Sequence, residues 1–177
     1  MNRKNFLIQV AGSSAALIVS GKKVSAQVIT SQEPPPLPVS LVKEFVIAGH
    51  GDFPKVQSML RDTPNLVYSK FDWGNGDYEA AIEGAGHVGN KDIANFLMEY
   101  GDRVTLYVLT MLGKTQLVKP VLEAYPNLIN AKGPHGFTLL HHAKVGGKDA
   151  GELYAYLQEK GCKEDRLKLR EIAESQG

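Results

Sequence analysis

The feature that most restricts the fold is a spacing. Four times the chain places a leucine, three further residues and then a proline or glycine: Leu60 to Pro64, Leu97 to Gly101, Leu122 to Pro126 and Leu157 to Gly161. The leucines are 37, 25 and 35 residues apart. Each closes an amphipathic run. A glycine ends a helix in the left-handed conformation, and a proline ends it by withholding a backbone donor. Self-similarity at such a period marks a repeated supersecondary unit.

Within each unit the pattern predicts two helices around a glycine turn. The first helices are expected at 41–49, 79–88, 105–112 and 138–145. Gly51, Gly89, Gly113 and Gly147 form the turns, and the second helices follow at 53–61, 91–100, 115–124 and 152–160. In one second helix Ile93, Phe96, Leu97 and Tyr100 share a face; Leu117, Val118, Val121 and Leu122 repeat the arrangement. No single hairpin can bury that much apolar surface, so the hairpins are expected to stack. The fold expectation is all-α, an α-solenoid of about four helix-turn-helix repeats.

The segment Gly136-Phe137-Thr138-Leu139-Leu140-His141-His142-Ala143 resembles the ankyrin-repeat signature Gly-x-Thr-Pro-Leu-His-x-Ala, with leucine in the proline position. Ile82, Ala85 and Gly89 fit the same frame, as do the Pro-Asn-Leu stretches at 64–66 and 126–128. The resemblance covers residues 40–162 and implies protein–protein recognition through a concave face and loop tips, without fixed chemistry. It also implies a structural role for His141, bonding the backbone of an adjoining loop. Gly89 to Gly113 spans only 24 residues, against about 33 for this family, so the connection at 102–105 should lack a projecting turn. The loop before the second repeat, holding Asp72 to Tyr78, should be longer than usual.

The ends read differently. Residues 1–26 carry Arg3, Lys4, Lys22, Lys23 and no acid, then an interrupted apolar run and Val24-Ser25-Ala26. This layout predicts an export signal cleaved after Ala26, and therefore a periplasmic or extracellular protein. Arg3-Lys4-Asn5-Phe6-Leu7 resembles a twin-arginine motif with lysine in second place. Residues 27–38 are proline-rich and read as a linker. Residues 39–162 hold the repeats, and 163–177 are expected to form a polar capping helix. Without its first 26 residues the chain has 16 basic and 19 acidic residues, a balance that disfavours nucleic acid. The apolar run is too short for stable membrane insertion. Cys162, the only cysteine, reads as a small apolar filler.

No catalytic nucleophile, phosphate loop or metal set stands out, and no cofactor, metal or enzymatic activity is expected. His135, His141 and His142 lack metal-ligand spacing. Asp72, Asp77, Glu79 and Asn75 do not follow the EF-hand order and read as a solvated turn. His50 and His87 lie near turn glycines, either as solvated helix ends or, with His142, on the concave face. Trp73, the only tryptophan, either anchors a partner or folds back over the first helices. The residues expected to bind an unidentified protein partner are Trp73, Tyr78, His87, Tyr107, Met111, His135 and Phe137. A small-ligand or glycan-binding protein using Trp73, Tyr78 and the acidic loop is the alternative, as is an antidote or chaperone for a secreted enzyme. Converging polar groups would favour a ligand, and a shallow face crossed by exposed aromatics would favour a protein.

Overall fold

Local signals start and stop the helices where the spacing placed them. The computed structural model describes residues 34–169; the expected signal segment and the end of the expected capping helix lie outside these residues. In the compact unit that begins at Pro36, helix α1 is Val39–Gly49 and α2 is Phe53–Asp62. Two short strands follow, β1 (Phe71–Asp72) and β2 (Tyr78–Glu79). Then come α3 (Ala81–Val88), α4 (Lys91–Tyr100), α5 (Leu106–Met111), α6 (Thr115–Ala124), α7 (Leu139–Gly146) and α8 (Gly151–Glu159). Asp52, Asn90 and Thr138 cap α2, α4 and α7, each accepting from the amide three residues on. Gly101 and Gly161 adopt positive φ, as their helix-ending role required.

The first helices pack in chain order, α1 on α3, α3 on α5 and α5 on α7, with α2 against α4 and α6 against α8 behind them. The described residues are thus all-α apart from the β1–β2 hairpin. Phe45, Leu60, Leu66, Ile82, Ile93, Leu97 and Met111 lie in one core cluster, and Val118, Leu139, Leu153 and Leu157 in a second. Each such side chain contributes about 1.5–3 kcal/mol on burial. Among the described residues no helix is long and apolar enough to cross a membrane.

Small residues set how closely the row packs. A Cβ on Gly49 would collide with the backbone of Ala81, and one on Gly86 would stand 3.1 Å from Val108. The α1–α3 and α3–α5 contacts therefore bring backbone almost against backbone, and the ends of the first helices with them.

Three expectations need correction. The 79–88 helix begins at Ala81 because Tyr78 and Glu79 pair with Asp72 and Phe71 in the hairpin. Residues 163–169 form no helix; this segment runs alongside the loop before α7, with Arg166 bridging Phe137 and Leu167 N–H donating to the Gly136 carbonyl. Thr138 N–H donates to the Asp165 carbonyl as well, and these two cross-bonds need an extended tail, because a helix would bond its backbone internally. Met111, expected on a binding face, is 0% exposed because α5 turns it into the core between repeats.

Candidate metal centre

The loop read as a solvated turn delivers a carboxylate to the interior. Glu79 is 0% exposed, and four side chains from separate parts of the chain surround it. His50 follows the last residue of α1. His87 lies in the last turn of α3. His135 precedes α7, and Trp73 sits at the tip of the β1–β2 hairpin. Glu79 Oε1 lies 2.8 Å from His87 Nε2 and 3.4 Å from His50 Nε2. Its Oε2 lies 3.3 Å from His135 Nε2 and accepts a hydrogen bond of 2.7 Å from Trp73 Nε1. His50 Nε2 and His87 Nε2 face each other at 3.0 Å.

The far sides of two rings are anchored, which decides what their near sides present. His50 Nδ1 lies 3.0 Å from the Val46 carbonyl, and His135 Nδ1 lies 2.8 Å from Asp77 Oδ2. Both partners only accept, so each Nδ1 carries a proton and each ring turns its Nε2 inward, as a lone pair when the ring is neutral. Asp77 Oδ1 also accepts from the His135 amide, at 2.8 Å. This holds His135 at a left-handed φ of 57°, uncommon outside glycine. Gly84 in α3 makes room for His50: a Cβ there would stand 2.8 Å from the ring.

Trp73 Nε1 donates to Glu79 Oε2, and any proton on the Nε2 atoms of His50, His87 or His135 faces a Glu79 oxygen. Burial alone would raise Glu79, but hydrogen bonds from His50 and His87 outweigh it and hold the carboxyl well below its usual range. The Glu79 hydrogen bond likewise raises His50 against its own desolvation. The centre is arranged for positive charge facing the carboxylate.

The donor atoms of His50, Glu79, His87 and His135 all lie within 4.8 Å of one another. Separations of 3.0, 2.8 and 3.4 Å put His50 Nε2, His87 Nε2 and Glu79 Oε1 on a circle of radius about 1.8 Å, inside zinc–nitrogen and zinc–oxygen lengths of about 2.0–2.1 Å. One ion just off that plane reaches all three, with His135 beside it. Three imidazoles and one carboxylate suit zinc or a neighbouring transition metal rather than calcium or magnesium. Nδ1 bonds to a carbonyl and a carboxylate are the outer partners such ligands commonly have.

The centre gathers four of the seven expected binding residues, Trp73, His87, His135 and Phe137, though not on an exposed face. Trp73 folds back: its ring meets Phe71 and His135, Lys43 of α1 lies over it, and it is 36% exposed. Phe137 stacks between His87 and His141. Tyr78 is 55% exposed and stays at the surface. Tyr107 is half-buried away from the centre, its phenol pushed up to about 12 by burial. His141 Nε2 meets the His87 carbonyl at 2.8 Å, a bond to backbone as the resemblance implied, but to the last turn of α3 and not to a loop. His142 is buried rather than facing a ligand.

Glu79 at the heart of the cluster was missed, and His50, weighed for the concave face, was left off the expected binding residues. A signal for His50 was present: His50 and His87 are 37 residues apart, as are Leu60 and Leu97. Equivalent positions of stacked repeats are neighbours in space, so the two rings had to meet. An open cleft of about 470 Å³ runs past Asp77 and His135, with Arg166 and Leu167 across from them. No protein-family model, curated protein or solved structure matches the chain.

Proposed function

We infer that this protein binds one divalent transition-metal ion, zinc or a close neighbour, within a degenerate ankyrin-like stack of helical hairpins. One observation carries the reading: three Nε2 atoms and a buried carboxylate converge within 4.8 Å, and two rings are held from behind at Nδ1 so that Nε2 faces inward. Polar groups converging inside the molecule favour a ligand over a purely protein-binding role. The export signal and the repeat family enter this reading as expectations from the sequence alone.

Calorimetry and cobalt(II) absorption on chelator-stripped protein test it. One equivalent should bind, and cobalt should give the intense visible bands of a site with four protein ligands. Glu79→Gln and His87→Ala should each weaken zinc binding by at least about tenfold. An unchanged isotherm in both variants would refute the assignment. A protein partner is the second reading, favoured by the exposed Tyr78 ring at the hairpin edge; capture that depends on Tyr78 but not on metal would favour it.

A further inference from the structure

The hairpin that carries Glu79 has little of its own to hold it in place. Each strand has two residues, and an isolated two-stranded hairpin is marginal in water. Its tip turns through Gly74, Asn75 and Gly76, all at positive φ. Inside it, Trp73 N–H donates to the Asp77 carbonyl at 3.0 Å and Asp77 N–H to that of Gly74 at 3.1 Å. Phe71 packs against the main core cluster, and the polar ties from hairpin to body converge on the centre. Glu79 meets His50 and His87, Asp77 holds His135 twice, and Trp73 donates to Glu79 while its ring lies under Lys43 of α1.

Those ties bring three ring nitrogens and a carboxylate within 4.8 Å of one another, a set that a cation can join. With neutral rings, the lone pairs of His50 Nε2 and His135 Nε2 point at carboxylate oxygens 3.4 and 3.3 Å away. In that state acceptor faces acceptor at these two contacts, and a ring proton or a bound cation relieves them. A divalent ion turns each of these contacts into a bond. It would also join residues from the first repeat, the hairpin, the second repeat and the loop before α7, so its binding energy stabilises their mutual arrangement.

We propose that the ion docks the Phe71–Glu79 hairpin, so that metal occupancy decides whether this loop is held against the helices with Tyr78 displayed at its edge. The role is structural and local: the helices pack through their own cores, and the hairpin follows the ion. This rests on the metal reading above.

Hydrogen exchange by mass spectrometry on the full chain, chelator-stripped and then with zinc chloride in excess of its Kd, tests the idea. Exchange at 71–79 should slow by about tenfold or more with zinc while amides of 115–124 that exchange by local fraying are unchanged, since local opening of the hairpin is what the ion suppresses. Emission of Trp73 should shift in parallel, and His50→Ala should blunt both responses. If zinc binds and exchange at 71–79 is the same with and without it, the hairpin is docked by other forces and the proposal fails while the metal reading stands. If zinc slows exchange over the whole chain equally, the ion holds the entire fold and local docking is again wrong. If zinc does not bind, the metal reading falls and takes this proposal with it.

Discussion

A hydrogen in place of a methyl group at position 84 leaves room for the His50 ring, since a Cβ there would approach it to 2.8 Å. Helix propensity alone favours alanine over glycine by about 1 kcal/mol, so Gly84→Ala separates helix stability from ligand placement. We expect zinc affinity to fall by about tenfold or more with helix content unchanged, read by calorimetry and circular dichroism. His142 makes a different statement. It is 0% exposed, its Nδ1 meets the Thr138 carbonyl at 2.8 Å, and its Nε2 has no partner. Burial lowers its pKa to about 4. The folded state therefore holds it neutral while the unfolded chain protonates near pH 6.5. The resulting stability is complete above pH 6.5 and is lost as pH falls through about 4, roughly 3 kcal/mol in all. Urea melts from pH 7 to pH 4 should show this acid loss, and His142→Leu should flatten it.

Among the elements, α6 carries an internal conflict. Pro120 lies inside it at an exposed position, where it cannot donate to the preceding turn. Pro120→Ala is expected to stabilise the fold by about 1 kcal/mol or more, measured as a higher urea midpoint at unchanged slope. The connection after α4 holds another: Asp102 Oδ2 is buried without a partner, and burial raises its pKa to about 6. A carboxyl raised in the fold favours the folded state while protonated, and that advantage is lost as pH rises through about 6. Asp102→Asn should therefore match the parent near pH 3.5, below the unfolded carboxyl's range, and exceed it by roughly 2–3 kcal/mol at pH 7, read by melts at the two values. Element boundaries were largely legible, because caps such as Asn90 and stops such as Gly101 act within a few residues. The β1–β2 hairpin was not, since its short strands matter only once Glu79 has something to reach.

For the molecule as a whole, a ligand that binds only the folded chain adds RT ln(1 + [L]/Kd) to its stability. Zinc at a hundredfold excess over its Kd should therefore raise the unfolding free energy by about 2.7 kcal/mol, and a chelator should reverse the gain. A thermal or urea titration against zinc checks this, and Glu79→Gln should lose the response. The all-α class and the order of the helices followed from the sequence, because apolar period, caps and glycine turns are local. His50 and His87 were nearly within reach, being one repeat apart. Glu79, His135 and Trp73 were decided by tertiary structure alone. Their meeting depends on how closely Gly49, Gly84 and Gly86 let the helices approach and on where a long loop folds back. Those distances are summed over the packing of several repeats, and no short stretch of residues encodes them.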